Sequence, residues 1–101
     1  MYKDIRIVSI TSTTTAQPIG KLINDRLTAL SQSLPEKIAV LRIVIKPGAN
    51  VTIQDIKTTD EVAVLSGVEK EYPVLNAHEK LLIKGAGTVL VELYLGDTDE
   101  I

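Results

Sequence analysis

Short aliphatic runs recur about every ten residues after Pro35, and turn-forming residues separate them. The longest run, IAVLRIVI at 38–45, contains one charge, Arg42. The turn sequence KPGAN follows at 46–50, and an alternating run at 51–54 looks like the returning strand. Further runs lie at 62–65, 71–75, 80–84 and 88–95. Strands at this spacing predict a mainly antiparallel β-sandwich or a jelly-roll-like fold.

One segment before Pro35 has a helical period instead. Pro18 suits a first helical turn, where its missing N–H costs nothing, and Pro35 discourages helical backbone at Leu34. The pattern predicts one amphipathic α-helix near residues 18–33 that packs through Leu22, Ile23, Leu27 and Leu30. Its apolar face spans an arc of about 140° and comprises Ile19, Leu22, Ile23, Leu27, Leu30 and Leu34.

The length of 101 residues suits a single domain. We divide it into an N-terminal strand with a polar extended segment (1–17), the helix (18–34), a β-sandwich core (36–96) and an acidic tail (97–101). A chain of this length buries roughly 65% of its unfolded surface, which is enough for a small core. The core is expected to be aliphatic, because the chain contains three tyrosines and no phenylalanine or tryptophan.

The densest glycine signal, KGAGT at 84–88, raises the question of a phosphate-binding loop. Such a loop needs a helix after its glycines, so that free amides point at the phosphate. Here the residues that follow alternate between aliphatic and more polar types, which is the period of a strand. We therefore interpret Gly85 and Gly87 as a hairpin turn.

Composition argues against several classes of function. The net charge is −2 and the charges are scattered, so nucleic acid is not an expected partner. Few aromatic residues are present for the stacking of bases or sugars. No apolar run approaches the roughly 18 residues of a membrane span, so no membrane partner is expected. The absence of cysteine excludes disulfides and thiol catalysis.

The sequence offers no catalytic set. His78 is the one histidine, and we expect it to lie in a solvated loop beside Glu79. The carboxylates fall on predicted loops or on the polar face of the helix, and no serine lies in a Gly-x-Ser-x-Gly elbow. We therefore predict that the protein is not an enzyme and has no catalytic residues, no cofactor and no bound metal.

The N-terminal strand at 5–10 is a candidate interface. Ile5 and Ile7 should point to one side of the strand, and Val8 and Ile10 to the other. A terminal strand with two apolar faces needs cover that a small sandwich does not always provide. A neighbouring subunit could supply that cover by packing on the strand or by adding to the sheet.

Two other segments are candidate contact sites. Thr13 and Thr14 lie in a threonine-rich stretch that is either a plain connector or an extended arm that adds a strand to a neighbour. The run at 71–75 is predicted to be an edge strand, because Pro73 cannot donate a hydrogen bond to a ladder. Tyr72 and Val74 on this edge are the remaining interface candidates.

Residues 38–95 resemble the small β-sandwich or jelly-roll virion proteins of tailed phages. The resemblance rests on the short aliphatic strands, on KPGAN and on the closing segment KLLIKGAGTVLVELYL at 80–95. Domains of that family decorate capsids, reinforce subunit junctions or carry head fibres. The helix at 18–33 is not a general feature of the family.

The resemblance implies a non-enzymatic structural protein of a phage particle, an auxiliary or decoration capsid protein that acts through protein–protein contacts. Its partners would be other virion proteins or copies of itself, in a homo-oligomer or a multicopy assembly. It would be located in the virion and assembled in the host cytoplasm. A small ligand-binding or carbohydrate-binding β-domain is the alternative, and an accessory subunit of an enzyme is a third hypothesis.

Overall fold

The computed structural model describes residues 2–34 and 38–97, and it confirms a mainly antiparallel β fold with one α-helix. The predicted effect of Pro35 on the helix and the predicted acidic tail beyond Asp97 lie outside the described residues. The helix, α1, spans Ile19–Ala29, and a 3₁₀ helix spans Ala77–Glu79. The strands are β1 Asp4–Ser12, β2 Gln17–Pro18, β3 Ile38–Pro47, β4 Val51–Asp55, β5 Glu61–Val64, β6 Lys70–Tyr72, β7 Leu81–Lys84 and β8 Gly87–Asp97.

The strands form two four-stranded antiparallel sheets. Sheet 1 has the order β1-β8-β3-β6, and sheet 2 has the order β2-β7-β4-β5. The last strand of the chain thus lies between the first and the third. This strand order is that of a jelly roll, in which eight strands form two facing sheets.

The turn at Gly85 and Gly87 is not a hairpin, which corrects the prediction from sequence. The two strands that it joins, β7 and β8, belong to different sheets, so the chain crosses from one sheet to the other. Gly85 has a φ of 118°, and a Cβ at this position would lie 2.7 Å from the carbonyl oxygen of Asn50. Only glycine fits this close approach. The KPGAN turn between β3 and β4 likewise joins the two sheets.

The core lies between the two sheets and is aliphatic. Strand β8 contributes a row of four fully buried side chains, Val89, Val91, Leu93 and Leu95, which alternate with outward-facing residues. Other elements complete the core with Val8, Ile10, Ile23, Ile43, Ile45, Ile53 and Ile83.

A β-bulge in β3 keeps Arg42 out of this core. The pairing of β3 with β8 shifts register between Val40 and Arg42. Because side chains alternate along a strand, one extra residue turns Arg42 to the outer face and returns Ile43 to the core. On the outer face the Arg42 guanidinium lies 4.7 Å from the centre of the Tyr94 ring, and its Nε lies 2.7 Å from Oε1 of Glu71.

Helix α1 is shorter than the apolar pattern predicts. Pro18 is its N-cap rather than part of its first turn, and Leu30 is its C-cap. The backbone then turns left-handed at Ser31, where φ is 57°. The Ser31 amide donates to the carbonyl of Thr28, and the amide of Gln32 donates to the carbonyl of Leu27. These two bonds form a Schellman motif, which ends the helix before its apolar face ends.

Helix α1 covers one side of the sandwich. It contacts β1 at the edge of sheet 1, β2 and β7 at the edge of sheet 2, and the 3₁₀ helix. Its buried residues are Ile19, Ile23 and Leu27, and Leu22 is partly buried against the core. The predicted packing of Leu30 is wrong, because the helix ends at this residue and its side chain is exposed. The opposite side is bounded by β5 and β6, and no described helix lies over it.

Replacing Leu27 by alanine should lower the free energy of unfolding by about 2–5 kcal/mol, because it leaves a cavity between α1 and the sheets. Leu30→Ala is the matched control, since Leu30 is exposed at the end of the same helix and its loss should cost about 0.5 kcal/mol or less. Urea unfolding measures both values. Equal losses for the two variants would contradict the docking of α1 described here.

Candidate interaction surface

The outer face of sheet 1 carries an exposed apolar strip along β1. The exposed fractions of Ile5, Ile7 and Leu90 are 44%, 67% and 46%. Ile7 pairs with Glu92 across the sheet, so Leu90 is its diagonal neighbour on the same face. We call the side chains of Ile5, Ile7 and Leu90 the β1 face.

A cluster of aromatic and charged side chains borders one end of the β1 face. The rings of Tyr2 and Tyr94 lie with their centres 5.2 Å apart, and Ile5 pairs with Tyr94. The Tyr94 hydroxyl donates to Oε2 of Glu92 over 2.8 Å, and this hydrogen bond raises the pKa of Tyr94. The Arg42 guanidinium packs on the Tyr94 ring as well, and these contacts together hold the ring at the border of the β1 face.

The two faces of β1 differ more than the sequence suggests. Val8 and Ile10, which we named as interface candidates, are buried in the chain's own core, and this corrects their assignment. Sheet 2 and α1 cover that side of the strand. Ile5 and Ile7 remain exposed, although β1 pairs with β8 along its whole length. The exposed apolar side of β1 is thus its outer face.

Thr13 and Thr14 lie in the loop between β1 and β2, and both are exposed. The Thr13 carbonyl accepts a hydrogen bond of 2.7 Å from the amide of Gly85, which ties this loop to the turn between β7 and β8. The Thr13 hydroxyl also accepts from the amide of Thr15 over 3.3 Å. These bonds hold Thr13 against the domain.

Tyr72 lies on β6, which is an edge strand of sheet 1 as the sequence predicts. Its ring packs against the core, and its register partner is Ile43. The Tyr72 hydroxyl is buried without a hydrogen bond to any described residue, and burial raises its pKa. Val74 follows the strand and is exposed. The two candidates therefore differ, since Tyr72 is largely a core residue and Val74 a surface residue.

His78 is not a solvated loop residue, contrary to the prediction. It lies in the 3₁₀ helix and is only 8% exposed. It packs against Gly20 of α1, where a Cβ would lie 3.3 Å from the His78 ring and 3.2 Å from its carbonyl oxygen. Glycine inside a helical pattern is the one sequence signal that could have pointed to this contact, because it often marks a close approach.

A cavity of about 570 Å³ lies beside His78, between α1 and the 3₁₀ helix. Burial lowers the pKa of His78, and the Glu79 carboxylate, 3.9 Å from Nε2, opposes this shift. The ring therefore favours its neutral form. The cavity is lined by Pro18, Gly20, Lys21, Ile23, Asn24, Leu27, Leu34, His78 and Glu79.

The described residues contain no group of three or more histidine, aspartate or glutamate side chains that could hold a metal ion. Within residues 2–34 and 38–97, no helix is long and apolar enough to cross a membrane.

Neither a protein-family model nor a curated protein matches the chain. A solved structure similar to it is the cryo-EM structure of the virus-like particle of extra small virus from the giant freshwater prawn Macrobrachium rosenbergii. The two chains are 13% identical, with a TM-score of 0.41, and the match covers 91% of this chain and 76% of that chain. The strand order of the two sheets, and not this likeness, identifies the fold.

We expect His78 to make the folded protein sensitive to acid. The pKa of His78 is lower in the folded protein than in the unfolded chain, where it has its ordinary value of about 6.5. Below about pH 6.5, His78 is therefore protonated more readily in the unfolded chain than in the folded protein. The free energy of unfolding is therefore highest above the unfolded pKa of His78, and it decreases as the pH drops towards the folded pKa. His78→Phe keeps a ring but cannot titrate. The loss in free energy of unfolding between about pH 7.5 and about pH 5.5 should be smaller in this variant.

Thermal or urea unfolding at the two pH values measures this difference. Glu79→Gln is the control for the neighbouring carboxylate, and it should retain most of the pH dependence because burial is the larger cause of the shift. An identical pH dependence in wild type and His78→Phe would show that the buried ring has no part in it.

Proposed function

We propose that this chain is a non-enzymatic structural protein of a phage particle, an auxiliary or decoration capsid protein present in many copies. It acts through contacts with copies of itself or with other virion proteins, in a virion that is assembled in the host cytoplasm. Jelly rolls occur in viral capsid proteins, lectins and cupins, so the fold alone does not decide between these roles. The observation that carries the proposal is the β1 face.

The β1 face has the properties of a contact surface. Three large aliphatic side chains lie exposed next to one another on two paired strands. Apolar surface removed from water stabilises a contact by roughly 25 cal/mol per Å², and contiguous apolar patches mark interaction sites on soluble proteins. The strands are already ordered by their sheet, so a partner that binds here loses little additional conformational entropy.

The outer face of sheet 1 carries charges of both signs around this surface. Glu92 lies directly opposite Ile7, and Lys46 lies directly opposite Leu90. Two copies of such a surface can meet with opposite charges facing each other. This favours copies of the same chain as a partner.

The alternative, a small ligand-binding β-domain, is favoured by a different observation. The cavity beside His78 has an apolar floor formed by Ile23, Leu27 and Leu34, and polar groups at its border. Small-molecule sites often combine an apolar lining with a few such polar groups. The two functions use different parts of the molecule, and variants of the β1 face therefore discriminate between them.

The proposed function predicts that Ile7→Lys weakens assembly by at least about tenfold, because a charge replaces the most exposed side chain of the β1 face. Thr11→Lys is the matched control, since Thr11 is exposed on the same face of the same strand. Sedimentation velocity measures self-association, and the number of copies per purified phage particle measures incorporation. The melting temperatures of both variants should stay close to that of wild type.

If the Ile7→Lys variant is incorporated into particles at the wild-type level, the β1 face is not the contact surface. If host cells contain the protein but the particles purified from them do not, the structural role itself is contradicted.

A further inference from the structure

The side of the sandwich opposite α1 contains a cleft between β5 and β6. Its volume is about 240 Å³. We call it the open cleft, and its lining residues are Ile53, Asp55, Asp60, Glu61, Val62, Tyr72 and Leu81.

Val62 shows that the open cleft is an uncovered part of the core. In the pairing of β4 with β5, Val64 lies opposite Val51 and Val62 lies opposite Ile53. Side chains two residues apart share a face, so Val62 and Val64 both point towards the interior. Val64 is 3% exposed, yet Val62 is 45% exposed. The inward row of β5 therefore ends in an aliphatic side chain that the described chain covers only in part.

The border of the open cleft is acidic. Glu61 is neutralised by Lys84, whose Nζ lies 2.6 Å from Oε1. Asp55 and Asp60 form no ion pair with any described residue. The Asp55 carboxylate accepts hydrogen bonds from two backbone amides of its own turn. Lys57 belongs to the same turn, but it is not part of the lining and forms no ion pair with either carboxylate. Two uncompensated carboxylates thus lie beside an apolar floor.

We propose that the open cleft binds an extended segment of a partner protein that inserts one aliphatic side chain against Val62 and carries a lysine or arginine beside it. The inference goes beyond the proposed function, because it concerns a surface separate from the β1 face and does not depend on self-association.

Three properties of the open cleft select this occupant. Its volume exceeds the roughly 150 Å³ of an apolar cavity that holds a benzene molecule, so one aliphatic side chain fits. It lies between two edge strands, whose free backbone groups can pair with an extended segment. The carboxylates of Asp55 and Asp60 attract a neighbouring cation and repel an acidic segment.

The test uses three short peptides with blocked ends as probes, Lys-Leu-Lys, Glu-Leu-Glu and Lys-Ser-Lys. Each is titrated into the full chain, and the methyl signals of Val62 and Leu81 are followed by NMR. We expect Lys-Leu-Lys to shift these signals and to bind at least about fivefold more tightly than either of the other two, which lack the charge or the aliphatic group.

Variants inside and outside the open cleft show where the peptide binds. Asp60→Asn should weaken binding of Lys-Leu-Lys by about two- to fivefold, whereas Glu69→Gln, a neutralised carboxylate outside the cleft, should leave it unchanged. Val62→Ser should also weaken binding, and Val74→Ser, at a similarly exposed valine outside the cleft, should not. Ile7→Lys should bind the peptide like wild type, which separates this result from that of the β1 face.

Three outcomes would overturn the proposal. Glu-Leu-Glu could bind as tightly as Lys-Leu-Lys, which would remove the role of the carboxylates. The signals of Val62 and Leu81 could stay unchanged during titration with all three peptides. They could also shift with protein concentration before any peptide is added, which would make a second copy of this chain the occupant.

Discussion

Strand β8 organises sheet 1 because it pairs with both β1 and β3. The last strand of the chain lies between the first and the third, and its inward row is fully buried. This pairing decides which side chains of β1 face the core, because a shift of one residue would exchange the two faces of the strand. Val8 and Ile10 face the core for this reason, and Ile5 and Ile7 face solvent.

The same topology leaves the two sides of the sandwich unequal. Helix α1 follows β2 directly and covers the side bounded by β1 and β2, whereas on the side bounded by β5 and β6 Val62 is left 45% exposed. The inward row of β5 thus reaches solvent at the open cleft, and the outer face of sheet 1 carries a separate apolar strip. The two surfaces differ in charge, since charges of both signs surround the β1 face, whereas two carboxylates without an ion pair to any described residue border the cleft.

Much of the fold could be predicted from local patterns, because residues close in sequence show either the alternation of apolar and polar side chains that is typical of strands or the period of a helix. The longer strands, the helix and the edge position of Tyr72 follow from such patterns, whereas the two-residue strand β2 does not. The pairing partners do not, so the turn at Gly85 looked like a hairpin although it joins two sheets. Three features depend on long-range packing or on local backbone geometry, namely the bulge before Arg42, the left-handed Ser31 that ends α1 and the burial of His78.

We expect the β1 face to be covered in the functional assembly. Hydroxyl-radical footprinting of the free protein and of the protein within purified particles tests this directly, because oxidation reports the exposure of individual side chains. Ile5, Ile7 and Leu90 should become protected in the particle, while Leu30, exposed at the end of α1, should stay reactive. Equal oxidation of Ile7 in the free and the assembled protein would show that this face is not covered.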